Sequence, residues 1–227
     1  MMSMARAVGI NVPEIRLIHR DELEGLPDRM WPNREEWAYA VKRFDRASDA
    51  NRTPIHIEDF AQVRDKYPEA KYEGTFETVA ALTYRGRDID GLREFARRLA
   101  FGILIGNGDF HLKNWSLLYK NRRVPTLSPA YDLVSTMPYY EVGEQREDLG
   151  LKFCGSRRFE SVSLASFERL ERRLERRFGA IDADLATVAA TVRDSLREAW
   201  KDHREILETC PDLLNAINVW LATHDLG

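Results

Sequence analysis

The chain has 227 residues, with 34 Lys and Arg set against 37 Asp and Glu, a formal net charge of −3. That balance excludes a generally basic protein that coats phosphate backbones, although a local basic patch stays open. Hydrophobic residues at 44% and charged residues at 31% exclude wholesale disorder, and the length suits one domain with an appendage or a large domain beside a small one.

Residues 5–9 read as the last turn of a helix stopped by Gly9, with Pro13 close behind. A chain that opens on a helix end is expected to continue upstream. Residues 14–19 and 37–44 read as short strands, the second with loose alternation, and Pro27, Pro32 and Asn33 mark a surface loop between them. Residues 45–54 are polar and read as a second loop. From Ile57 onward the pattern is mostly helical. Asp59 is an N-cap candidate opening a helix through Val63, and residues 75–84 form a further helix.

Residues 88–105 give the strongest helical signal. Leu92, Phe95, Ala96, Leu99 and Ile103 fall at three- and four-residue steps, with Arg93, Glu94, Arg97 and Arg98 between them. The apolar run 99–105 is far too short to cross a bilayer, and residues 1–6 carry no apolar leader core, so a cytoplasmic protein away from membranes is expected. Residues 115–119 and 124–127 predict a β-pair around a turn at 120–123. Helices are expected at 164–178, 182–207 and 211–224. The alternating Arg and Glu of residues 169–177 read as a solvated ion-pair face rather than a DNA-reading helix. Cys154 and Cys210 form no CxxC and are expected as free thiols.

The chemistry-bearing stretch is Gly106-Asn107-Gly108-Asp109-Phe110-His111-Leu112-Lys113-Asn114, between the amphipathic helix and the β-pair. Asp109 and Asn114 are five positions apart, the Asp-to-Asn separation of the protein-kinase catalytic loop. Phosphoryl transfer needs a carboxylate to hold and deprotonate the acceptor hydroxyl. It also needs a neutral oxygen that completes magnesium coordination without adding charge. Asp132 follows after the predicted hairpin, which would return it beside Asn114, and oxygen donors such as these suit magnesium better than zinc. Gly106 and Gly108 are expected to permit the tight backbone at the loop. Taken alone, a Gly-x-Gly-Asp turn is also common in ordinary loops, as is an Asp and an Asn five residues apart.

The stretch from Asp109 to Asn114, followed by Leu127-Ser128-Pro129-Ala130-Tyr131-Asp132, resembles the catalytic elements of the HipA-like serine/threonine kinases, the toxin kinases of bacterial toxin–antitoxin pairs. Two upstream pieces are similar as well: Gly9-Ile10-Asn11-Val12-Pro13, and Val41-Lys42-Arg43-Phe44-Asp45-Arg46 followed by Ile57-Glu58-Asp59-Phe60-Ala61-Gln62. The resemblance implies a mainly α (α+β) fold, a kinase-like large lobe with a short β-hairpin at the active loop and remnant small-lobe strands. Residues 1–56 would be the remnant and hinge, and residues 57–227 the helical catalytic lobe. It further implies ATP and Mg2+ as cofactors, with Asp109 as general base. His111, Asn114 and Asp132 would face the phosphates and metal, Asn114 and Asp132 as metal ligands, and Arg43-Phe44 would lie beside the adenine. Lys42 falls in the hinge segment rather than on the phosphates. The implied substrates are Ser or Thr hydroxyls of proteins. The implied partner is a helix-turn-helix antitoxin, with DNA reached only through it.

The chain also departs from the family's pattern, since no Gly-rich phosphate loop and no strand lysine precede the hinge. Two alternatives therefore stand beside the kinase: a truncated pseudokinase that keeps only partner binding, and a small-molecule kinase with a Gly-Asp-x-His loop.

Overall fold

The computed structural model describes residues 1–31, 35–139 and 148–227; the expected loop residues Pro32 and Asn33 lie outside them. In chain order the elements are α1 (Met2–Ala7), β1 (Ile15–His19), β2 (Trp37–Val41), β3 (Ile57–Asp59), α2 (Phe60–Val63), α3 (Phe76–Tyr84), α4 (Ile89–Leu104), β4 (Ser116–Asn121), β5 (Val124–Leu127), α5 (Leu164–Phe178), α6 (Leu185–His203) and α7 (Pro211–Thr223). The result is the mixed, mainly helical α+β architecture that the sequence predicts.

The apolar stripe of α4 puts it at the centre. Leu92, Phe95, Ala96, Leu99 and Ile103 are all buried, and the helix packs against α3 on one side and α6 on another. Each fully buried Leu or Phe contributes roughly 1.5–3 kcal/mol. Asp88 caps its start through a bond from Gly91 N at 2.8 Å. One residue departs from the expected polar flank. Arg98 is only 2% exposed and donates to Glu94 Oε1 at 2.8 Å, so the helix carries a buried ion pair. Burial holds the Arg98 pKa below its usual value.

Two small sheets flank the helices. β1 and β2 form an antiparallel ribbon, with Leu17 opposite Tyr39 and His19 opposite Trp37. The second sheet has the order β3-β4-β5, with Ile57 opposite Leu118 and Leu117 opposite Leu127. β3 corrects the helical reading from Ile57 onward: three residues pair with a strand almost sixty positions away, and helix begins only at Phe60. Asp59 is the hinge of that change. Its Oδ1 accepts from Gln62 N at 2.8 Å while Gln62 Oε1 accepts from Asp59 N at 2.9 Å.

β2 ends at Val41, three residues before its predicted end, because Arg43 turns to an ion pair with Asp45. α6 starts at Leu185, later than predicted. Asp184 is left-handed, and Glu171 of α5 accepts from Ala183 N, Asp184 N and Leu185 N, each at 2.9 Å. Glu171 therefore caps a neighbouring helix rather than joining an ion-pair face, while Glu168 and Arg172 do pair at 3.2 Å. Cys154 and Cys210 are free thiols, as expected. No helix among the described residues is long and apolar enough to cross a membrane.

Candidate active site

The loop after α4 is held by close packing. Gly106 has φ +67°, and a Cβ there would meet the Trp220 indole at 2.8 Å. Gly108 has no left-handed conformation and instead donates its N–H to Thr136 Oγ1 at 3.0 Å, while Thr136 N donates to Gly106 O at 3.0 Å. Phe110 is buried and stacks on Trp115 with centroids 4.5 Å apart. Gly150 lies against its backbone so closely that a Cβ would sit 2.6 Å from Phe110 O. A side chain on either face of this loop would push Asp109 out of place.

The β4–β5 hairpin then returns the chain to the loop. Asn114 Nδ2 donates to Asp132 Oδ2 at 2.6 Å, and Asn114 Oδ1 accepts from His111 N at 2.9 Å. Asp132 is exposed and left-handed (φ +58°), a conformation that Asp tolerates better than most residues. Asp109 stands on the other flank of His111, with its Oδ1 3.6 Å from His111 Nε2. Asp109 and Asp132 both act on the His111 ring, whose pKa is nevertheless pushed below 6.5 by burial, with Lys71 adding to the lowering. The four predicted residues thus form one group, in which His111 Nδ1 is buried and unpartnered.

Two residues beside them were not singled out from the sequence. Tyr72 Oη donates to Asp109 Oδ1 at 2.5 Å, and Lys71 Nζ lies 3.8 Å from the same oxygen. The only sequence signal was their place before the Thr75 helix cap, which carries no chemistry by itself.

The hinge residues lie apart from this group. Arg43 pairs with Asp45, whose carboxyl is pulled down to about 2, first of all by that hydrogen bond. Lys42 pairs with Glu14 at 2.9 Å and faces solvent. Arg43 and Phe44 line a cleft of about 1020 Å³ that includes none of the loop residues. Asp132 borders a different, more apolar groove of about 540 Å³ with Ile15, Tyr39 and Leu133. Tyr131 connects the two groups. It stacks on Phe44 at 5.8 Å, shares a hydrogen bond with Ser116 Oγ, and donates to Lys113 O at 2.8 Å. Burial pushes its phenol up to about 12.

The Asp132 carboxylate suits a hard cation, and the unpartnered, buried His111 nitrogen suits a phosphate oxygen or water. Among the described residues no three His, Cys, Asp or Glu side chains form a metal cage. Magnesium commonly takes one or two protein ligands and completes its shell with phosphates and water. Asn114 turns its nitrogen, not its oxygen, toward Asp132, so in this pose it orients the carboxylate.

Fold and site together define a kinase-like α+β protein in which a hairpin returns the chain to the loop of residues 106–114. The chain belongs to the HipA-like C-terminal domain family, which matches residues 1–200. It is 37% identical to the candidate kinase Y4dM of Sinorhizobium fredii over 227 residues, covering 100% of this chain and 53% of that protein. It is 28% identical over 171 residues to the serine/threonine-protein kinase toxin HipA of Shewanella oneidensis, covering 63% of this chain and 34% of that one. A solved complex of Shewanella oneidensis HipA with HipB and operator DNA matches with a TM-score of 0.74 at 20% identity. That match spans 98% of this chain and 53% of the solved one, and it carries the fold. This chain therefore spans about half the length of the relative it matches end to end.

Proposed function

We propose that this chain is the catalytic large lobe, with hinge, of an ATP- and magnesium-dependent serine/threonine protein kinase acting in the cytoplasm as the toxin of a toxin–antitoxin pair. The observation that carries the reading is Asp109 standing 3.6 Å from His111 Nε2 while Asn114, three residues on, is bonded to Asp132. Residues 1–56 would form the small-lobe remnant and hinge, and residues 57–227 the large lobe.

Asp109 would accept the proton of a protein Ser or Thr hydroxyl and aim its oxygen. Asp132 would hold magnesium, joined by Asn114 once its amide oxygen leaves the His111 N–H. The neutral imidazole of His111 would meet a phosphate oxygen without adding charge repulsion or attraction of its own. Arg43 and Phe44 would flank the adenine, and Tyr131 would relay its position to the metal ligand beside it. Bound magnesium would supply charge neutralisation across the β- and γ-phosphates. A helix-turn-helix antitoxin is the proposed partner, with DNA contacted through it; the solved neighbour was captured with HipB and operator DNA.

A second reading, partner binding without transfer, is favoured by the Asn114 pose. Labelled ATP, magnesium and a cell lysate separate the two. Protein labelling that Asp109→Asn abolishes supports the kinase, and its absence with retained antitoxin binding supports the second.

A further inference from the structure

We infer that Tyr72 occupies the position of the acceptor hydroxyl on Asp109, so that the protein's own phenol competes with an incoming Ser or Thr for the base. The inference rests on the kinase reading above and adds how that site is controlled. A general base must lie within about 2.6–3.2 Å of the group whose proton it takes. The hydroxyl found at that station is Tyr72 Oη, donating to Asp109 Oδ1 at 2.5 Å.

The segment that carries Tyr72 is fastened to the catalytic loop rather than resting on it. Leu112 N donates to Lys71 O at 3.1 Å, and Arg157 Nη2 donates to Tyr72 O at 2.7 Å. With its backbone pinned, the phenol can leave only by turning its own side chain. The ring meets His111 edge-on with centroids 5.2 Å apart, and the Lys71 ammonium lies 4.8 Å from its centre on another side. These contacts hold the ring, and the hydrogen bond to Oδ1 holds the hydroxyl on the carboxylate.

The exchange is close to balanced. A peptide hydroxyl that displaces Tyr72 replaces one O–H···carboxylate bond with another of the same kind. Tyr72 is therefore a competitor that shifts apparent acceptor affinity, not a permanent block. Lys71 and His111, at 3.8 and 3.6 Å from the same oxygen, remain beside Asp109 in either arrangement.

The test compares the 227-residue chain with Tyr72→Phe, which keeps the ring and its packing and removes only the hydroxyl. With Mg·ATP and a Ser/Thr peptide, the variant's KM for peptide is expected to fall about two- to tenfold with kcat unchanged. An equal or higher KM overturns the inference. A second readout needs no transfer: carbodiimide-driven coupling of a small amine to Asp109, followed by mass spectrometry with exposed Glu168 as internal reference. Asp109 is expected to label several-fold faster in Tyr72→Phe, and equal rates overturn the occupancy. If neither protein transfers phosphate, the reading of this chain as a kinase active by itself falls, while the labelling still decides whether Tyr72 covers Asp109.

Discussion

Asn114 and Asp132 meet at 2.6 Å although they stand eighteen positions apart in the chain. The meeting follows from the β4–β5 hairpin, in which Leu117 faces Leu127 and the chain returns antiparallel to where it left the loop. A second brace comes from α4: Glu94 Oε1 accepts from Asn11 N at 3.0 Å, and Asn11 O accepts from Ala130 N at 2.7 Å. The carboxylate that would carry a metal is thus tied both to the loop and, through two further residues, to the central helix.

Asp132→Asn removes the one exposed carboxylate beside Asn114 while preserving shape. ATP binding by calorimetry is expected to lose its dependence on magnesium in the variant. Tight binding that ignores magnesium in the unmodified chain would refute the role given to Asp132.

Asp109→Asn keeps the volume and a hydrogen-bond acceptor but cannot take a proton at neutral pH. Transfer to protein substrate is expected to drop by about 10²–10⁴-fold, with melting temperature and nucleotide affinity little changed. Equal labelling by both proteins would remove Asp109 as the base.

The buried His111 predicts an acid-side loss of stability. Its folded pKa lies below the ordinary 6.5, so the unfolded chain binds the proton more readily. The stabilising contribution is complete above 6.5 and declines as pH falls from 6.5 toward the folded value. Denaturant midpoints measured from pH 7.5 downward should fall through this window, and His111→Gln should flatten that part of the curve. An unchanged slope in the variant would assign the loss to another group.

Gly150→Ala places a methyl 2.6 Å from the Phe110 carbonyl oxygen, where backbone rather than a flexible side chain must give way. A destabilisation of about 1–3 kcal/mol is expected, read as a lower thermal midpoint. Phosphate transfer should fall as well, because the same shift moves Asp109, one residue away. A variant as stable and active as the parent would mean that the loop is not set by this contact.

The parts of the fold that were legible are those whose signal is local. α4 announces itself through its periodic Leu and Phe positions, and the hairpin through two apolar runs around a polar turn. β3 was not legible, because three residues give no period and their pairing with β4 is decided by a distant strand. Arg98 reads as polar flank for a similar reason: its burial depends on Glu94 and on packing from elsewhere in the chain. At the site, Asp109, Asn114 and Asp132 stand out by spacing joined to the family resemblance, and the structure brings Asn114 against Asp132 with Asp109 beside His111. Tyr72 and Lys71 do not stand out, since they reach Asp109 across almost forty residues from a short turn with no motif of its own.

The β1–β2 ribbon governs how this chain behaves in solution at high concentration. Among the described residues β2 pairs only with β1, and Leu17, Trp37, Tyr39 and Val41 share its outward face at 40–58% exposure. An uncovered strand edge beside an apolar face invites the same edge of another molecule to add on, strand against strand. Preparations of the chain by itself should therefore show concentration-dependent self-association, which a Lys placed at Tyr39 would suppress.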